Sequence, residues 1–193
     1  MAGLTLAKGN NLSLTKTDPG LQKALVGLGW DPRTTTGEPF DLDASALLVA
    51  ANGKVRSSED FIFYNQPAAK DGSVTHLGDN RSGEGAGDDE QILIDLTQIA
   101  ADVERVVIVV SIDQADDRRQ NFGQVRGAYC RVLNQGNDTE IVRFDLSEDA
   151  APETSMLFAE IYRSGAEWKF KAVGQGYATG LAGVIADFGV QLG

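Results

Sequence analysis

Hydrophobic alternation with a period of two limits this chain more than any other feature. It recurs in short runs separated by turn residues, and a helical repeat almost never intervenes. In FDLDASALLVA, at 40–50, Phe40, Leu42 and Ala44 share one side of an extended strand and Asp41 and Asp43 the other. Asn52-Gly53 then turns the chain into KVRSSEDFIFYNQ, whose aromatic and branched centre predicts a strand beside the first. LTLAKGNNLSLTK places Leu4, Leu6, Leu12 and Leu14 on the same period around a Gly-Asn turn, which predicts a hairpin. GAYCRVLNQGNDTEIVRFDL divides into two strands across NQGND, and ETSMLFAEIYRSGAEWKFKAVGQGY does so around Ser164-Gly165. RVVIVVSID is a continuous branched run, as expected of a strand covered on both faces. Helical spacing is clear only near the end, where Leu181, Val184, Ile185 and Phe188 fall at i, i+3, i+4 and i+7.

Roughly nine or ten strand signals without strand-helix alternation exclude a doubly wound sheet. The expected fold is mainly β, a two-sheet β-sandwich with a C-terminal helix and short helical turns. A chain of 193 residues is close to the prior of about 150 per domain, so one domain is expected over 1–193.

Charge narrows the function classes. Seventeen basic and 28 acidic side chains give a net charge of −11, a field that repels phosphate backbones and anionic lipid. Direct nucleic-acid binding and membrane insertion are therefore not expected, although peripheral association through partners is compatible with this charge. The single cysteine, Cys130, forms no internal disulfide, and the first residues show no apolar leader. A cytoplasmic location is the expectation.

Residues 65–90 contain five glycines, scattered acids and few apolar side chains, so a loop about twice the usual length is predicted. Its last part, DNRSGEGAGDDE at 79–90, holds the acids Asp79, Glu84, Asp88, Asp89 and Glu90 against one base, Arg81. Such crowding is tolerated if the loop is solvated, or if a hard cation neutralises it. Oxygen donors without a sulfur or histidine cluster select calcium over zinc. The EF-hand pattern fails position by position: Arg81 stands third, Gly83 fifth, and Glu84 occupies the place of the required glycine. Ligands must then come from elsewhere, with Asp31, Asp41, Asp43 and Asn65 as candidates.

Other constellations are weaker. GQGYATG, at 174–180, lacks both the spacing and the lysine of a phosphate-binding loop. His76 is the only histidine and has no fixed nucleophile near it in sequence. Cys130 alone cannot run dithiol reduction, and in AYCRVL it reads as a buried, inert thiol.

VGLGWDPRT, FDLDASALLVAANGKV, DFIFYNQ, DGSVTHLGDNRSGEGAGDDE, RRQNFGQV and AVGQGYATGLAG together resemble the tellurium-resistance TerD family, in the family's order and along the whole chain. The resemblance implies a calcium-binding β-sandwich of bacterial stress operons, linked to resistance against tellurite, phage and pore-forming colicins. Carried over residue by residue, it implies metal ligation by Asp31, Asp43, Asn65, Asp79, Asn80, Asp88, Asp89 and Glu90. The family commonly has FYNN where this chain reads Asn65-Gln66, so the second position is not carried over. Eight such residues exceed what one calcium ion takes, and two neighbouring Ca2+ ions are expected. The implied role is a module that binds or scaffolds other proteins of the tellurium-resistance system without turnover chemistry. The alternative is an enzyme, or a nucleotide- or small-ligand-binding component of the same response.

Overall fold

The computed structural model describes residues 3–146 and 152–191. Twelve strands among the described residues form two six-stranded sheets. In chain order the strands are β1 (Leu4–Leu6), β2 (Asn11–Ser13), β3 (Lys23–Gly29), β4 (Leu42–Ala50), β5 (Phe61–Ile62), β6 (Val74–His76), β7 (Glu90–Asp95), β8 (Val103–Ile112), β9 (Tyr129–Asn134), β10 (Thr139–Asp145), β11 (Ser155–Ser164) and β12 (Glu167–Tyr177). The first sheet runs β1-β10-β9-β3-β7-β6 and the second β2-β12-β11-β8-β4-β5. Helices α1 (Leu14–Thr17) and α2 (Ala115–Arg118) are single turns, and α3 (Gly180–Asp187) is the C-terminal helix.

One apolar core lies between the sheets. Val26, Leu28, Ile92, Cys130 and Val132 of the first sheet meet Ala44, Ala46, Leu48, Ile108, Phe158 and Phe170 of the second. A second cluster covers the outer face of the second sheet, where Leu47, Val49, Val107, Val109 and Leu157 pack beneath Val184, Ile185 and Phe188 of α3. This arrangement explains the branched run of β8: Val106, Ile108 and Val110 point inward, and Val107 and Val109 point to the helix. The side of β4 that carries Asp41 and Asp43 continues into Leu47 and Val49 under α3, so it is not a solvent face.

The β4–β5, β9–β10 and β11–β12 pairings agree with the expected neighbours. The N-terminal hairpin does not form. β1 pairs parallel with β10 in the first sheet and β2 antiparallel with β12 in the second, so the Gly-Asn turn carries the chain from one sheet to the other. The run at 65–90 is not wholly loop either, since β6 pairs with β7 at the sheet edge and buries Val74 and His76.

Candidate metal centre

β4 supplies the rigid side of the acidic site. β5 pairs with only Ala46 and Leu47, so the chain beyond leaves the amide of Ala44 without a strand partner. That amide donates to Glu90 Oε2 instead, which draws the start of β7 against the start of β4. Asp79 arrives from the glycine-rich loop. One carboxylate oxygen from each of Asp41, Asp43 and Asp79 lies within 4.8 Å of the others. They line a cleft of about 230 Å³ with Tyr64, Arg81, Asp113, Gln114 and Arg118.

The electrostatics of this trio are unfavourable without a cation. Burial, followed by the charges of Glu90, Asp41, Asp79 and Asp113, pushes the Asp43 carboxyl up to about 7. Asp41 is raised by burial and by Asp79 and Asp113, with Arg118 opposing at 3.7 Å. Glu90 is raised by burial although His76 and the Ala44 amide favour its anion. Asp41 Oδ1 and Glu90 Oε1 are both buried and accept no hydrogen bond. Buried oxygens without donors are uncommon. Three converging carboxylates with an orphaned oxygen fit a hard divalent cation, and a set of charged oxygens suits calcium better than magnesium, which sheds its waters reluctantly.

The loop at 79–90 is held by protein donors. Asp89 Oδ2 accepts from the Trp30 amide at 2.9 Å, and Asn80 Nδ2 donates to Asp89 Oδ1 at 2.9 Å. Asn80 Oδ1 accepts from the amides of Ser82 and Gly83. Gly83 has φ +69° and lies against the indole of Trp30, where a Cβ would fall 2.5 Å from Nε1. That indole donates to Phe40 O, one residue before the aspartates, so loop and strand are fastened to the same ring.

Asp43 and Asp79 thus meet beside Asp41, with Glu90 close enough to act on Asp43. The structure places the remaining expected ligands elsewhere. Asp88 lies over Gly27 on the outer face of the first sheet, where Tyr129 Oη donates at 2.9 Å and Arg131 Nε at 2.8 Å. Asp89 and Asn80 are engaged within the loop. Asp31 is exposed and rests on Gly127, whose φ is +62°, beside a separate cleft with Arg33 and Arg126. Asn65 is exposed in the turn after β5, and its neighbour Tyr64 lines the acidic cleft. Gln66, which replaces the second family asparagine, donates to Phe61 O at 2.6 Å and closes that turn.

The family pattern passed over Asp41, which its period-two spacing from Asp43 does indicate. Asp113 and Arg118 were also missed. Leu42 pairs with Ile112, and the Asp113 amide donates to Asp41 O at 2.8 Å, so the end of β8 faces the start of β4. Only the register of two strands about 70 residues apart reveals this, and one sequence does not contain that register.

His76 is 7% exposed, with Nε2 at 3.5 Å from Glu90 Oε2 and Nδ1 accepting from the Gly78 amide. Cys130 is fully buried between the sheets, and burial holds its thiol well above the usual range. GQGY lies within β12, so its glycines do not open the helix.

Comparison with known proteins agrees with this architecture. A family model described as the TerD domain matches residues 1–188. The chain is 57% identical over 188 residues to a tellurium resistance protein TerD of Serratia marcescens, covering 97% of this chain and 98% of that one. It is 47% identical over 191 residues to general stress protein 16U of Bacillus subtilis, covering 98% and 99%. A solved homologue of telluride resistance protein from Streptomyces coelicolor superposes with a TM-score of 0.70 at 23% identity, covering 86% of this chain and 96% of that one, a likeness of fold. With a domain model matched along almost its whole length and relatives at this identity, the chain belongs to the TerD family.

Proposed function

We propose that this protein is a calcium-binding β-sandwich of a bacterial tellurium-resistance and stress response, and that it acts by metal-dependent binding or scaffolding of other proteins of that system. The observation that carries the reading is the trio Asp41, Asp43 and Asp79, with oxygens within 4.8 Å and Asp41 Oδ1 buried without a donor. Burial and the neighbouring carboxylates raise Asp41 and Asp43, and like charges so close call for a compensating cation. The names of the relatives from Serratia and Bacillus supply the biological setting. The reading does not include turnover: His76 is buried against Glu90, and Cys130 is sealed in the core. We place the protein in the cytoplasm. No helix among the described residues is long and apolar enough to cross a membrane.

The trio, with Glu90 behind it, holds the first ion. A second ion needs oxygens of Asp88 or Asp89, which Arg131, Tyr129 and Trp30 already engage. Calorimetric titration of metal-stripped protein is therefore expected to show two unequal steps, the tighter one lost in Asp43→Asn. Absence of any calcium binding refutes the proposal, and two equal sites refute the assignment of the first ion to the trio.

A further inference from the structure

On a chain with 28 acids and a net charge of −11, an arginine that is held in place without a carboxylate partner is informative. Arg33 lies in the loop between β3 and β4, is half-buried, and makes no ion pair with a carboxylate among the described residues. Its position is nonetheless fixed. The guanidinium lies over the Phe40 ring with Cζ 5.2 Å from the centroid, Nε donates to Thr35 Oγ1 at 3.0 Å, and Nη1 donates to Glu38 O at 3.2 Å. Gly37, with φ +126°, closes on it so tightly that a Cβ there would fall 2.8 Å from Cζ. A guanidinium offers about five N–H donors, and Nη2 of Arg33 has no acceptor among the described residues.

This loop and the segment that leads into β9 enclose a cleft of about 480 Å³. The Asp31 amide donates to Arg126 O at 2.8 Å and fastens the two segments together. Arg33 and Thr34 line the cleft from one segment and Gln124 and Arg126 from the other, with Asp31 as the one carboxylate among the lining residues. Arg126 is held as well, since its Nη1 donates to Gly123 O at 3.2 Å. Two guanidiniums against one carboxylate reverse the balance found at the acidic site, and the two clefts share no lining residue.

We propose that this cleft binds the phosphoryl group of inorganic phosphate or of a phosphate monoester, with Arg33 as the principal donor. Ordering a long side chain is one of the costs of binding, and the Arg33 guanidinium is ordered before a ligand arrives. Two guanidiniums, one from each segment, suit a group that carries close to two negative charges on three terminal oxygens. A carboxylate brings one charge, and Asp31 supplies one of that kind within the cleft. Thr34 is exposed and adds a hydroxyl. The net charge of −11 disfavours chance association of an anion with the rest of the surface. The carboxylate trio takes no part in this cleft, so metal-stripped protein serves for the test.

The probes are inorganic phosphate and methyl phosphate, titrated calorimetrically at fixed ionic strength and about pH 8, where both are dianions, with acetate as the competing oxyanion. Phosphate is expected to saturate a single site and to bind about tenfold or more tighter than acetate. Methyl phosphate of equal affinity assigns the site to an ester, and weaker methyl phosphate assigns it to the free ion. Arg33→Lys keeps the charge, loses the planar fork and should weaken phosphate about tenfold. Thr34→Glu leaves the contacts of Arg33 in place, puts a second carboxylate into the cleft, and should abolish phosphate binding with the melting curve unchanged. Asp31→Asn removes the carboxylate already there and should tighten phosphate several-fold. An arginine that only staples its own loop gives neither of these last two effects. Absence of saturable phosphate binding overturns the proposal, as does acetate of equal affinity, or Thr34→Glu and Asp31→Asn that both bind phosphate as the parent does.

Discussion

Replacing Asp43 by asparagine should change the stability of the protein in opposite directions with and without calcium. In the metal-free fold the Asp43 carboxyl is pushed from 3.8 up to about 7, first by burial and then by Glu90, Asp41, Asp79 and Asp113. A folded-state pKa raised above the unfolded one means that the native chain holds the proton more tightly and that the carboxylate anion opposes folding. The penalty is absent below about pH 4, grows as pH rises between the unfolded and folded values, and is complete above about pH 7. Roughly three pH units at about 1.4 kcal/mol each give about 4 kcal/mol as an upper bound. Asp43 is only partly buried, and solvent screening lowers this to about 2 kcal/mol. An asparagine amide cannot ionise, so the metal-free variant at pH 8 should melt about 4–8 °C above the parent. At pH 4 the two should coincide. In excess calcium the order reverses, because the variant has lost an anchoring oxygen charge. Scanning calorimetry on metal-stripped protein at both pH values, and again with calcium, checks each sign. A variant that is less stable than the parent at pH 8 without metal would refute the electrostatic account and assign Asp43 a structural bond.

Calcium itself should stabilise the parent by about 2.7 kcal/mol at a hundredfold excess over Kd, seen as a rise in melting temperature that chelation reverses; an unchanged melting curve contradicts it. Gly83→Ala forces a Cβ into the Trp30 indole at a left-handed φ, so calcium affinity should fall about tenfold while the β-sheet circular dichroism stays intact. Unaltered affinity would show that the loop does not need its seat on Trp30. Arg131→Ala leaves the Asp88 carboxylate, 1% exposed, without its cation and should cost about 3 kcal/mol in chemical denaturation. The first calcium step should be unaffected, and loss of that step would place Asp88 in the primary site.

The strands were legible wherever alternation met a turn: β4 with β5, β9 with β10 and β11 with β12 could be paired from residue spacing. The N-terminal hairpin failed because period-two spacing states that Leu4 and Leu12 lie on strands and is silent about which sheet accepts each. β6 was hidden because three residues, Val74, Thr75 and His76, are too few for a period to register. Of the expected ligands, Asp43 and Asp79 converge in the acidic cleft, whereas Asp88 lies on the outer face of the first sheet, a separation that adjacent acids do not reveal until a sheet face divides them. The Asp88 carboxylate is turned by Tyr129 and Arg131 on a strand more than 40 residues away. Asp113 depended on the register of β8 against β4, which only tertiary packing fixes.

The division of β1 and β2 between the two sheets also sets an order of assembly. During synthesis the segment that carries β1 and β2 is made well before the strands it joins, Thr139–Asp145 and Glu167–Tyr177. At about 5–20 residues per second, this segment waits roughly 7–33 s for its partners. Until then the edges of β10 and β12 that they will cover do not exist, and Leu4–Leu6 and Asn11–Ser13, at three residues each, are too short to offer much for premature pairing. When β10 and β12 emerge, one continuous stretch of chain covers an edge of each sheet and ties the sheets together, so the sandwich cannot close before Glu167–Tyr177 has been made.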